Sequence, residues 1–115
     1  MRELLADPAR LQHIHNASVE LQHYTENKSF DDFHNNSMML FASIKQLEII
    51  GEAANQITKH FKTLYPEIQW EKIVGLRHIL VHEYFDVDSK LLWNIIKKDV
   101  PKLRQQVEEI LTQIQ

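Results

Sequence analysis

Between Ser37 and Leu64 the apolar side chains keep helical step without a gap. Met38, Leu40, Phe41, Ile44, Leu47, Ile50, Ala54, Ile57 and Phe61 recur at intervals that draw one stripe along about seven turns. A helix of that length needs other helices to cover its stripe. The rest of the chain can supply them. Only two glycines and three prolines interrupt 115 residues, and the remainder is rich in Leu, Ile, Glu, Gln and Lys, which favour helix. The expected fold is all-α: a four- to five-helix antiparallel bundle. Residues 1–115 read as one domain, large enough to bury a core and small enough that an added interface would help it.

Local signals divide the bundle. Asp7-Pro8 has the form of a helix start, with Asp as cap and Pro at the first helical position. Leu11, Ile14, Ala17, Val19, Leu21 and Tyr24 then give a loose apolar face to about Glu26. Ser29 and Asp32 form a capping pair for a short turn through Phe33. The long helix is expected over Ser37–Leu64, ended by Pro66. Asp88 caps a later helix with Leu91, Leu92, Ile95 and Ile96 inward, and Asp99-Val-Pro101 restarts or kinks it. Leu103, Val107, Ile110, Leu111 and Ile114 complete the last face. Gly51, in the middle of the long helix beside Ala53 and Ala54, marks the close approach of another helix or a second subunit.

Several function classes are excluded early. Without cysteine there are no disulfides and no thiolate metal sites, which fits a cytoplasmic location. No apolar run approaches the roughly 18 residues of a membrane span, and the N-terminus has no signal-peptide core. The net charge of −3 argues against a general nucleic-acid coat protein. Charge is uneven, however: seven Lys/Arg and five acids over Trp70–Arg104 leave that stretch at +2 and the remainder at −5. A modest basic zone of this kind can hold one RNA backbone, and a symmetric dimer would double it. His13, His15 and His23 lack the acidic partner that would complete a metal set.

The chemistry concentrates between Trp70 and Asp86. Ile73, Leu76, Leu80 and Val81 define a helix that also carries Arg77, His78, His82 and Tyr84. Arg77 and Tyr84 lie seven residues apart and share a face, while His78 and His82 form a second row. About 140° separates Arg77 from His82 around an ideal helix, so one copy presents them to opposite sides of a groove. A second helix or subunit is needed to complete a site. Glu48 and Glu52, on one face of the long helix, are placed to hold Arg77 or a histidine. His78 and His82 share the spacing of a two-imidazole metal site, but no third ligand accompanies them.

Arg77-x4-His82-x-Tyr84 resembles the Arg-x4-6-His signature of HEPN ribonuclease domains. The wording around it, Tyr65-Pro-Glu-Ile-Gln-Trp70 and Ile73-Val-Gly-Leu-Arg-His-Ile-Leu-Val-His-Glu-Tyr84, is similar to the HepT-like toxins, as is Leu47-Glu-Ile-Ile-Gly-Glu-Ala-Ala54 upstream. The likeness runs from about Leu47 to Leu111. One departure stands out: His78 occupies the place where the family usually has asparagine. The resemblance implies a homodimeric, metal-independent endoribonuclease with no cofactor, its Arg and His working at a cleft between protomers. It also implies a toxin–antitoxin pair, in which a nucleotidyltransferase antitoxin modifies the motif tyrosine, here Tyr84, with AMP.

The residue types suit that chemistry. RNA cleavage by its own 2′-hydroxyl needs a base, an acid and positive charge on the phosphoryl oxygens. Histidine titrates near neutral pH and fits proton transfer, as His82 would. Arginine offers a planar, permanently charged fork for phosphate, as Arg77 would. His78 can contact RNA or Arg77, or supply a second proton-transfer group. Adenylate on Tyr84 would add negative charge and bulk beside Arg77 and repel RNA. The competing expectation is a non-catalytic nucleotide-binding or nucleotidyltransferase-docking module using the same pocket for phosphate recognition alone.

Overall fold

Helix follows helix because each stretch has its own stop and start signal. A computed structural model describes residues 2–83 and 86–114, with the side chains of all of these except residues 2–5. Its elements are α1 (Arg2–Thr25), α2 (Phe30–Asn35), α3 (Ser37–Gln56), α4 (Lys59–Leu64), α5 (Trp70–Glu83), α6 (Ser89–Asn94), a π-helical turn (Ile95–Asp99) and α7 (Val100–Ile114). The described residues form an all-helical bundle. Its principal members are α1, α3, α5 and the continuous α6–π–α7 helix, with α2 and α4 as short connecting pieces. None of its helices is long and apolar enough to cross a membrane.

Packing follows the stripes. On α1, Leu11, Ile14, Ala17, Ser18, Leu21 and Thr25 are buried. Ser18 and Thr25 join this face because their hydroxyls donate to the carbonyls of Ile14 and Leu21, at 2.8 and 2.9 Å. Val19 and Tyr24 are only half-buried. This stripe packs against both α3 and α7, while α5 packs on α3. The central helix α3 therefore separates α1 from α5.

Several expectations change. Asp7 does not start a helix; α1 begins at Arg2 and runs through Pro8. The Asp7 carboxylate is fully buried and serves a segment 51 residues away, accepting from the Thr58 N–H at 3.0 Å and the Thr58 hydroxyl at 2.7 Å. That contact also explains why the long helix is two. Ile57 turns to extended backbone (ψ 138°), and Thr58 becomes the cap of α4 by accepting from the Phe61 N–H. At the other end of α3, Met38 and Phe41 are exposed rather than buried, because α2 reaches only part of that turn.

At Asp99-Val-Pro101 the α-helix does begin anew, α7 starting at Val100 with Pro101 in its first turn. Proline removes a backbone donor and crowds the preceding turn. The chain answers with a π-helical turn, closed by the Val100 N–H on the Ile95 carbonyl, and continues directly into α7. Leu91, expected inward, is exposed on α6, and Ile114 is exposed at the end of α7, while Leu92, Ile96, Leu103, Val107, Ile110 and Leu111 are buried. The other capping signals hold. Ser29 and Asp32 make a reciprocal capping box, and Asp88 accepts from the Lys90 N–H.

Candidate functional site

The helix that carries the motif is anchored lightly. Trp70 and Leu80 are its two buried residues, Leu80 completely. Its start is fixed by the Trp70 indole N–H donating to the Tyr65 carbonyl at 3.0 Å, over a connector that buries Ile68. Gln106 on α7 donates to the Glu67 carbonyl and ties that connector down.

Its crossing with α3 is made at Gly51. A Cβ there would lie 2.1 Å from the Cβ of Arg77, well inside contact distance. The close approach anticipated at this glycine is thus with the motif helix itself. It sets the Arg77 stem directly on the α3 backbone. The guanidinium then meets Glu52, with Nε 2.8 Å from Oε2. The carboxylate lies off the N–H direction, so the contact is an ion pair rather than a directed hydrogen bond. Glu48 turns instead to Lys45, at 3.9 Å.

Glu52 is held ionised below the usual glutamate range. The Gln56 side-chain amide, donating at 3.0 Å, is the largest cause. Partial desolvation opposes it, and the Arg77 charge adds to it. A carboxylate kept ionised at neutral pH fixes the arginine's position.

Arg77 and Val81 wall a cleft of about 470 Å³ between α1, α3 and α5. Arg10 and Lys45, which the sequence did not single out, reach the same cleft, as does His13, which the sequence raised only as a metal ligand. Arg10 and His13 lie three apart on α1, which puts them on one face, but nothing local says which helix that face meets. His82 belongs to the other side of α5. It is exposed and packs on exposed His78, with ring centroids 4.6 Å apart and planes tilted by 52°. Ile79 on that side is also exposed, as is Val81 on the Arg77 side. Tyr84 lies outside the described residues. Among the described residues no group of three or more His, Asp or Glu side chains converges on a metal position. His15, considered with the α1 histidines, contacts Glu108 at 2.8 Å.

An all-helical chain whose Arg-x4-His helix crosses a glycine of its neighbour has the features of a HEPN-type ribonuclease domain. The family model described as "Ribonuclease HepT-like" matches residues 14–110, and the chain belongs to that family of ribonucleases. Curated relatives agree. "Putative RNase MJ1380" of Methanocaldococcus jannaschii is 42% identical over 100 residues, covering 87% of this chain and 92% of the relative. "Probable ribonuclease HepT" of Thermococcus cleftensis is 39% identical over 100 residues, covering 87% and 91%. "Putative RNase TTE0752" of Caldanaerobacter subterraneus subsp. tengcongensis is 38% identical over 101 residues, covering 88% and 90%. No solved structure matches the chain significantly.

Proposed function

We propose that this chain, read as one HEPN-like domain over residues 1–115, is the endoribonuclease toxin of a cytoplasmic toxin–antitoxin pair, acting as a homodimer. The observation that carries the reading is the division of the motif helix. Arg77 is seated over Gly51 against Glu52, and His82 stands exposed on the far side with His78. One copy then offers an arginine to one side and imidazoles to another. A second copy bringing its own α5 supplies the complement, and exposed Ile79 and Val81 give that contact an apolar component.

In the proposed reaction the RNA 2′-hydroxyl attacks the adjacent phosphorus and the 5′-oxygen leaves. One group takes the hydroxyl proton and another returns a proton to the leaving oxygen. This pathway needs no metal, and His82 from each protomer fits the two proton transfers. Arg77 stabilises the charge that develops on the phosphoryl oxygens. His78 serves as an accessory contact to RNA, and Glu52 orients Arg77. In the same reading Tyr84 accepts AMP from a nucleotidyltransferase antitoxin, and the added phosphate competes with RNA for Arg77.

The test is cleavage of single-stranded RNA in excess EDTA by wild type and His82→Ala, once intact mass shows Tyr84 unmodified. Cleavage by wild type alone supports the reading. No cleavage by either protein on several RNA classes turns it toward a nucleotide-binding or antitoxin-docking module.

A further inference from the structure

The cleft beside Arg77 holds more cation than the reaction needs. Arg10 and His13 come from α1, Lys45 from α3 and Arg77 from α5. The two carboxylates among them are already engaged within the cleft, Glu52 with Arg77 at 2.8 Å and Glu48 with Lys45 at 3.9 Å. Each of the three permanent cations thus has one carboxylate near it, Arg10 with Asp7, Lys45 with Glu48 and Arg77 with Glu52, and the first two contacts are long, at 3.9 Å. Arg10 is also held in place. Its Nη1 donates to the Gln56 carbonyl at 2.6 Å, and buried Asp7 lies 3.9 Å away. A guanidinium has five N–H donors, so this anchoring leaves others for a ligand. Pre-fixed arginine loses little freedom on meeting an anion.

We propose that Arg10 and His13 form a second phosphate subsite for RNA, receiving a backbone phosphate next to the one held by Arg77. The inference rests on the ribonuclease reading for the identity of its ligand. It extends that reading by routing the strand from α5 across α3 onto α1. The cleft volume of about 470 Å³ falls in the range that holds a nucleotide-sized group. Arg10 supplies the fixed charge, and exposed His13, one turn further along α1, supplies a hydrogen-bond donor.

The probe is a labelled 2′-O-methyl oligoribonucleotide of about eight nucleotides, which binds without being cut. Its affinity for the full chain is followed by fluorescence anisotropy across a series of KCl concentrations. For a single strand, removing one phosphate interaction flattens the log–log salt slope by about 0.7. Arg10→Met should do this and weaken binding about tenfold. His13→Glu, which sets a negative charge against the strand, should also weaken binding about tenfold. Lys28→Ala, in the α1–α2 loop, should leave the slope as in wild type. If Arg10→Met unfolds, as circular dichroism would show, exposed His13→Glu decides alone. Wild-type affinity and slope in His13→Glu, or no binding by wild type, overturns the subsite. Cleavage of the unmodified oligonucleotide separates the two ideas. Cleavage with an unchanged salt slope in the variants removes the subsite and keeps the ribonuclease. Arg10-dependent binding without cleavage does the reverse.

Discussion

Arg77 lies over Gly51 so closely that no side chain, not even a methyl group, fits between the two helices; an added Cβ would fall 2.1 Å from the arginine's own. Gly51→Ala must therefore open the α3–α5 crossing. Overpacking of this kind costs about 1–3 kcal/mol, and here it also moves Arg77 off Glu52. A melting temperature lowered by several degrees, together with loss of RNA cleavage, is expected. An unchanged melt would show that α5 slides without cost.

Gly75 gives the opposite result on the same helix. A Cβ there meets nothing within 4 Å. Replacing an unconstrained helix glycine with alanine adds about 0.5–1 kcal/mol of stability. Gly75→Ala should raise the denaturation midpoint with the same denaturant slope.

Asp7 and Thr58 join α1 to the start of α4. Asp7→Ala leaves the Thr58 N–H and hydroxyl without their acceptor in a part-buried setting, at about 2–3 kcal/mol. Thr58→Ala removes the cap of α4 as well as the hydroxyl bond and should cost about 1–2 kcal/mol. The two effects should fall short of additive in a double-mutant cycle, because each variant breaks the same contact.

Glu52 has its pKa lowered in the folded chain, first by Gln56 and then by Arg77. A lowered folded value means that its contribution is present above the unfolded glutamate pKa of about 4.3 and is lost as pH falls through the lower folded value. The Arg77–Glu52 contact should therefore persist at pH 5 and disappear only in stronger acid. An NMR titration of the Glu52 carboxyl carbon checks this, and Gln56→Ala should bring its midpoint back up. A midpoint unmoved by that substitution would deny Gln56 its leading part.

His82→Ala should lower RNA cleavage by at least about a hundredfold, the range for losing a positioned proton-transfer group. The exposed side chain contributes little to the fold, so circular dichroism and sedimentation should match wild type.

Much of this was legible from single residues whose reasons are local. The capping box at Ser29, the cap at Asp88 and the closeness required at Gly51 each follow from the physics of a few neighbouring positions. Glu52 as the partner of Arg77 was also within reach, because helical spacing narrowed the choice to two glutamates. Asp7 was misread because Asp-Pro is a good helix start locally, while its actual partner, Thr58, is distant in sequence. The same long-range contact broke the long helix at Ile57, where the apolar period continues without interruption. Arg10 was missed, and His13 weighed only for a metal, for a related cause: a helix face can be read from spacing, but the cleft that it lines depends on which helix comes to lie opposite.

The π-helical turn at Ile95–Asp99 bears on how this chain tolerates insertions and deletions. Along the last helix the buried residues step from Leu92 to Ile96 to Val100, four at a time, before falling into the usual alternation through Leu103 and Val107. A regular α-helix would let that spacing drift around its axis by about 40° with each step. The wide turn absorbs the drift and brings the second half back into phase with α1. It acts as a phase corrector, storing one residue. Losing one residue from Ile95–Asp99 would turn the wide turn back into a regular α-turn and leave Val107 and Ile110 on the face that α1 covers, whereas losing one from the regular turns after Val100 would rotate everything beyond it by about 100°. Gaining one further along, among the exposed residues after Leu111, would disturb nothing that α1 touches.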